Sequence, residues 1–425
     1  MKVIITLVIA CFTSLLSFAQ NINKIINAKE VERIERVLAS DDMQGRKTFT
    51  PSIDRAADFI ANEFKKSGLK YFDGLKDYKQ AFSMKKATLI SASGIMDGHS
   101  IEANNIFTIT TDAELNFDEK SDYTKMVIGD TANFFREIFS LLKDNKKYLV
   151  LVDTSHAKNF IRLKRFSRES FDAKAPVVFV LTSENPSTYH FEIINKITSS
   201  PLANVIGILP GKSMKDEYVI FSAHYDHLGI GKPDSKGDSI YNGANDDAAG
   251  TTAVIMLSKY FSKLNNNERT LIFVTFTAEE IGGYGSQYFS KQIDPDKTVA
   301  MFNIEMIGTD SKWGKNSAYI TGFERSDFGK ILQKNLTGSI FHFEPDPYPE
   351  QNLFYRSDNA TLAELGVPAH SISTSKMDNE PNYHKQSDEI STLDMNNMAE
   401  IIKAIAISSK TIVSGKDTPT RVEKK

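Results

Sequence analysis

The sequence has a single cysteine among its 425 residues, Cys11. Once the first nineteen residues are set aside, disulfides and thiolate metal ligands are both excluded. Any bound metal must then rest on His, Asp and Glu. Excess charge of one sign is also missing: 51 Lys and Arg stand against 54 Asp and Glu, a formal net charge of −3. A nucleic-acid binder needs a basic excess, so that class is excluded. After residue 19 no apolar run is long enough to span a bilayer. Internal repeats and low-complexity tracts are absent. What remains is ordinary globular composition, 41% hydrophobic and 25% charged. The length suits one large domain with an insertion, or two to three modest domains.

Residues 1–19, "MKVIITLVIACFTSLLSFA", stand apart. Lys2 is their only charge, an apolar run follows, and Ser17-Phe18-Ala19 closes with small residues around a Phe. This is the pattern of a secretory signal cleaved before Gln20, which implies export to the periplasm or beyond. A membrane anchor and lipoprotein processing at Cys11 are the alternatives. Thr13, Ser14 and Ser17 interrupt the run, which argues against the first, and its continuation past Cys11 argues against the second.

Residues 20–84 carry two helical patterns. Val31, Ile34, Val37 and Leu38 repeat at helical spacing, and so do Ile53, Ala57, Ile60 and Phe64 before a stop at Gly68. Residues 85–200 hold short alternating stretches, two apolar strands ("YLVLVD", "PVVFVLT") and a basic helix-like piece, "FIRLKRFSRESF". They read as an inserted domain of mixed α/β or β-rich character. Residues 201–413 alternate regularly: strands at "NVIGILPG", "EYVIFSA", "TLIFVTFT" and "TVAMFNIEMIG", helices at "AAGTTAVIMLSKYFSKL" and "GYGSQYFSKQI". Further strands fit 316–321 and 367–373, and helices fit 326–336, 357–365 and 394–412. Such alternation predicts an α/β fold, a mixed, mostly parallel central sheet covered by helices on both faces. Residues 414–425 read as a frayed, flexible tail.

The chemistry-bearing residues gather where strands end, and in such sheets ligands bind beyond the carboxyl ends of the strands. His224 and Asp226 close one strand. Asp246 and Asp247 lie in "NGANDDAAG", which opens the next helix. Glu279 and Glu280 follow "TLIFVTFTA", Glu305 comes late in "MFNIEMIG", and His384 lies in "NYHKQSD". Taken singly these are a polar strand end, helix caps, first-turn acids and a surface histidine. A carboxylate inside a strand is harder to dismiss, because burying it unpaired is costly. Together, three acids and two histidines form an oxygen- and nitrogen-rich set suited to zinc without thiolates.

In order along the chain, "HYDHLG", "NGANDDAAG", "TAEEIGGYGS", "NIEMIG" and "YHKQSDE" resemble the di-zinc, co-catalytic aminopeptidase family. That family includes bacterial leucyl aminopeptidases, glutamate carboxypeptidase, the transferrin receptor and glutaminyl cyclases. "LASDDMQGRKT" and "SDNATLAELGVPA" resemble its flanking segments. The resemblance covers about residues 30–80 and 200–412 and implies a zinc exopeptidase fold; in many relatives a protease-associated domain is inserted in between. It implies two Zn²⁺ per chain: His224 and Glu305 on one, Glu280 and His384 on the other, Asp246 bridging. It implies that Asp226 orients the His224 imidazole, that Glu279 is the general base, and that the Asp246–Asp247 peptide is cis. Tyr383 matches a tyrosine that some relatives place at the oxyanion; core packing is its other reading. Glu305 departs from the aspartate that most relatives carry, and the extra methylene adds ~1.5 Å of reach. His227 reads as structural. Tyr348, Phe354 and Tyr355, in the loop 342–356, suit either a hydrophobic wall or ordinary packing.

The expected protein is an exported zinc metallopeptidase acting on peptides, foremost an aminopeptidase. A carboxypeptidase, a dipeptidase or a single-zinc glutaminyl cyclase is the alternative on the same fold, and a non-catalytic binding protein comes third.

Overall fold

A computed structural model describes residues 22–163, 170 and 175–425. The expected signal segment, with Cys11, lies outside the described residues, as does most of the C-terminal half of the basic piece at 160–171. Two amphipathic helices come first. Helix α1, Ala28–Leu38, starts at Asn27, whose side chain accepts the Glu30 N–H, and it buries Val31, Ile34 and Leu38. Helix α2, Pro51–Lys66, has proline in its first turn and buries Ile53, Ala57, Ile60 and Phe64.

The chain divides into two compact units, one running to Ala81 and resuming at Ala203–Lys425, the other Phe82–Leu202. In the second unit β1 (Lys79–Met96) turns back into β2 (His99–Ile101) as an antiparallel hairpin. A four-stranded sheet has the order β3-β7-β6-β5, from β3 (Ile106–Ile109), β5 (Thr124–Ile128), β6 (Tyr148–Val152) and β7 (Val177–Leu181). Helices α3 (Phe134–Lys143) and α4 (Ala157–Leu163) supply Ile138, Leu141, Phe160 and Leu163 to its core. β4 (Glu114–Asp118) pairs antiparallel with the first part of β8 (Tyr189–Leu209).

The first unit carries the larger sheet. After β8 come β9 (Met214–His224), a short pair β10 (Gly229–Ile230) and β11 (Ile240–Tyr241), α5 (Ala249–Leu264) and β12 (Arg269–Phe276). Then follow α6 (Tyr284–Ser290), β13 (Thr298–Glu305), β14 (Ser317–Ile320), α7 (Phe328–Asn335), β15 (His342–Pro345), α8 (Ala360–Glu364) and β16 (Ala369–Ser373). Helices α9 (Met395–Ser408) and α10 (Lys410–Val413) end the series. The strand order is β15-β14-β16-β13-β9-β12-β8. β12, β9, β13 and β16 are mutually parallel, while β8 and β14 join antiparallel. The central strands are apolar on both sides because both sides are covered. Val219, Phe221, Phe273 and Phe302 pack with α1, α2, α5 and α9. Ile220, Ile272, Val274 and Met301 pack on the other face with Phe289 of α6 and Leu362 of α8.

Two stretches differ from expectation. Residues 342–356 are not all loop: His342–Pro345 adds a parallel edge strand to β14. The segment 414–425 is docked, not frayed. The Arg269 guanidinium donates to Asp417 O at 2.7 Å and Thr418 Oγ1 at 2.6 Å, Arg421 donates to Thr298 O at 2.8 Å, and Val422 is buried. Its polar composition hid anchors that are mostly backbone groups. Where the chain leaves and re-enters the first unit, Ile206 N donates to Tyr78 O at 2.7 Å and Asn204 Nδ2 to Gln80 Oε1 at 2.8 Å.

Glu63 joins three helices. Its buried carboxylate accepts from Arg33 of α1 at 2.7 Å, Lys66 of α2 at 2.8 Å and Lys259 of α5 at 2.8 Å. Burial alone would raise its pKa, but these donors outweigh it and hold the carboxyl at about 2, below its ordinary 4.5. A depressed folded-state pKa gives stability that is full above the unfolded value and is lost as pH falls from about 4.5 through about 2. Glu63→Gln should therefore cost about 1–2 kcal/mol at pH 7, after discounting for the exposed partners Arg33 and Lys66. Denaturant unfolding at pH 7 and pH 2 measures it, and the difference from the parent should shrink towards the lower pH.

Candidate metal centre

Sheet topology brings the strand ends together. β9 ends at His224, β12 runs on through Thr277 and Ala278 to Glu279 and Glu280, and β13 ends at Glu305. All are carboxyl ends of neighbouring parallel strands. Three of the positions need left-handed backbone on non-glycine residues: Ala278 before the glutamate pair (φ 62°), Met306 after Glu305 (φ 51°) and His384 itself (φ 55°).

Buried ions gripped by backbone groups hold the connecting loops. Arg46, fully buried, donates to Tyr225 O (2.8 Å), Leu38 O (2.6 Å), Asn242 O (2.6 Å) and Gly243 O (2.8 Å). Asp388 accepts from Asn245 N at 2.9 Å and Asp246 N at 3.0 Å. Asp247 ties two strand ends to α5 by accepting from His224 N (3.3 Å), Met306 N (3.0 Å) and Gly250 N (3.0 Å). The Asp246–Asp247 peptide is cis. Gly243 (φ 57°) has to be glycine, since a Cβ there would lie 2.3 Å from Asp246 O and 2.5 Å from the His227 ring.

The five expected ligands converge in two sets that share Asp246. His224 Nε2 lies 3.2 Å from Asp246 Oδ1 and 3.4 Å from Glu305 Oε1. His384 Nε2 lies 3.2 Å from Asp246 Oδ2 and 3.2 Å from Glu280 Oε2. Donors bound tetrahedrally to zinc at about 2.0–2.1 Å sit about 3.3–3.4 Å apart, which is the distance of each histidine from its two carboxylates. The donor atoms of His224, Asp246 and Glu305 all lie within 4.8 Å of one another; around Glu280 the group that does so is His227, Asp246 and Glu280, with His384 beside it. The charge fits as well. Hydrogen bonds to Asp246 and Glu280 push the His384 imidazole up to about 10. His224 is raised too: burial opposes its charged form, but Glu305 and Asp246 outweigh it. The carboxylates call for positive charge that divalent cations would supply.

Asp226 departs from its expected role. The His224 Nδ1–H donates to the Asp226 backbone carbonyl at 3.1 Å, while the Asp226 carboxylate is 3.8 Å away. That carboxylate instead accepts from Glu279 N at 3.1 Å and Glu280 N at 3.3 Å, so it fixes the glutamate pair and the backbone fixes the imidazole tautomer. The pull of two N–H groups outweighs attraction to an imidazole already satisfied. His227, read as structural, reaches the centre. Its Nδ1 lies 2.7 Å from Glu280 Oε1, a hydrogen-bond distance, and 4.0 Å from Asp246 Oδ2. Only its place beside "HYD" in the sequence signals this.

Glu279 lines a small open cleft with His224, Asp246, Glu305, Tyr383 and His384. Burial pushes its carboxyl well above the ordinary range, and Asp358, Glu305 and Glu280 add to the push. Tyr383 stacks on His384 with ring centroids 4.0 Å apart, and burial followed by the nearby carboxylates keeps its phenol protonated. Met306, Tyr319, Leu353 and Met377 form an apolar wall and Arg356 also lines the cleft. Of the loop aromatics, Phe354 packs in the core beside Leu362 and Tyr348 packs against Tyr319.

This α/β scaffold carries its paired donor sets at the carboxyl ends of the strands. Residues 204–408 match Peptidase family M28. Aminopeptidase YwaD of Bacillus subtilis (strain 168) is 25% identical over 181 residues, 42% of this chain and 35% of that protein. Leucine aminopeptidase 1 of Paracoccidioides brasiliensis (strain Pb03) is 25% identical over 214 residues, 47% of this chain and 53% of that protein. The matches thus span about a third to a half of these relatives. The solved structure of BSAP, a zinc aminopeptidase from Bacillus subtilis, superposes with a TM-score of 0.56 at 17% identity, covering 94% of this chain and 98% of that one. It shares the fold.

Replacing Arg46 by Lys removes most of the four hydrogen bonds and leaves buried carbonyls unpaired. The expected loss is about 2–4 kcal/mol of stability, read by denaturant unfolding, with weaker metal uptake as loops 225–227 and 242–246 loosen.

Proposed function

We propose that this protein is an exported zinc metallopeptidase that binds two Zn²⁺ and releases N-terminal residues from peptides. The observation that carries the reading is the pair of donor sets, 3.2–3.4 Å in spacing, sharing Asp246 beside Glu279. The family match of residues 204–408 and the names of its relatives support the reaction class. Export rests on the character of residues 1–19. Among the described residues, no helix is long and apolar enough to cross a membrane.

His224, Asp246 and Glu305 would hold one ion, and His384, Asp246 and Glu280 the other. Bound Zn²⁺ would supply Lewis acidity to the scissile carbonyl and to the attacking water, whose pKa it would lower from ~15.7 towards ~7. Glu279 takes the proton of the attacking water and passes it to the leaving amine. Tyr383, with its phenol protonated, donates to the carbonyl oxygen as charge develops there. Asp226 holds Glu279 in register through its backbone N–H. The apolar wall of Met306, Tyr319, Leu353 and Met377 suits an apolar side chain on the residue released.

Purified, zinc-loaded protein should contain two zincs per chain and cleave aminoacyl anilides or dipeptides; cleavage of none would overturn the reading. Glu279→Gln should keep both zincs while kcat falls by about 10²–10⁴-fold. Turnover equal to the parent's would remove Glu279 as the base.

A further inference from the structure

Glutamate at 305 spends only one oxygen on the metal centre. Oε1 faces His224, while Oε2 accepts the Ser357 hydroxyl at 2.7 Å. The direction of that hydrogen bond is fixed from far behind the site. Asn359 Nδ2 donates to Phe354 O at 2.8 Å and Ala369 O at 3.1 Å. Carbonyls only accept, so the Asn359 amide cannot be turned, and its Oδ1 takes the Ser371 hydroxyl proton at 2.9 Å. The Ser371 oxygen then accepts from Asn303 Nδ2 at 3.0 Å. The other N–H of Asn303 goes to Ser357 Oγ at 2.8 Å, and Asn303 Oδ1 accepts from Ser222 at 2.8 Å. Asn359, Ser371, Asn303 and Ser222 are all buried. Ser357, already an acceptor, has one proton to give, and Glu305 Oε2 receives it.

We propose that Ser357 is a positioning residue that fixes Glu305 as a one-oxygen metal ligand and so sets the affinity of the His224 position. The inference rests on the metal-centre reading above. The methylene that separates glutamate from aspartate is what allows one side chain to reach both Ser357 and the ion; aspartate, ~1.5 Å shorter, serves only one of them. His227 grips the outer oxygen of Glu280 at 2.7 Å, so the other position has its own donor and is independent of Ser357.

The test is stepwise Zn²⁺ binding to the chelator-stripped full chain, by competition with a chromophoric chelator and by metal analysis. Ser357→Ala should weaken one of the two ions about 10–100-fold and leave the other unchanged, and Ser357→Thr, which keeps the hydroxyl, should restore it. Glu305→Asp should weaken the same ion, and adding Ser357→Ala to Glu305→Asp should cause no further loss. Equal melting temperatures of the metal-free forms show that folding is intact, and if Ser357→Ala melts early, Glu305→Asp alone, which leaves Ser357 in place, reads the same loss at one ion. Unchanged affinities, an equal fall at both ions, or a full additional loss in the Glu305→Asp background overturn the assignment while leaving the metal centre standing. A parent chain that binds no zinc overturns both.

Discussion

A guanidinium sealed from water must find acceptors within the protein, and Arg46 finds four backbone carbonyls on three different segments. That requirement shapes the metal centre. One carbonyl belongs to Tyr225, within the run His224–His227, and two belong to Asn242 and Gly243, just ahead of Asp246. Moving either loop would strand a buried cation, at a cost larger than most single contacts in the fold. Asp226, Asp247 and Asp388 apply the same logic with opposite sign, each collecting backbone N–H groups. The candidate ligand side chains are therefore held by a frame of buried side chains that grip the backbone on either side of them.

This frame explains how acidic side chains can crowd together in a protein whose net charge is only −3. Backbone dipoles and a buried arginine offset part of the repulsion. The same carboxylates raise the basicity of His224 and His384, and a divalent cation would compensate their charge in place of those protons. The left-handed backbone at Ala278, Met306 and His384 belongs to the same picture: conformations that cost about 1–3 kcal/mol each persist where surrounding contacts over-determine them.

Much of this was legible in the residues. Strand–helix alternation from 203 onward marks a parallel sheet, and parallel sheets place loop chemistry at one edge, which groups His224, Asp226, Asp246, Asp247, Glu279, Glu280, Glu305 and His384; the choice of five ligands among them rests on the family resemblance. Less legible were roles that depend on backbone partners. Asp226 looks like an imidazole partner because it lies two residues away, yet it serves Glu279 and Glu280 across a strand gap. Ser357 and Asn303 look like ordinary strand and loop polar residues, and nothing local announces their chain of hydrogen bonds. The docked segment 414–425 reads as polar tail because its anchors, Arg269 and Thr298 O, lie over a hundred residues away.

The point where the chain leaves and re-enters the first unit carries a last consequence. Tyr78 and Ile206, and Gln80 and Asn204, are hydrogen-bonded across the point where some 120 residues depart and return. The ends of that excursion are clasped by the sheet-bearing unit itself. Because closing a loop costs only about 0.6 kcal/mol more for each doubling of its length, such a clasp tolerates very different cassettes between the same two anchors. Exchange of the intervening segment would leave these anchoring hydrogen bonds, and the sheet they close, in place.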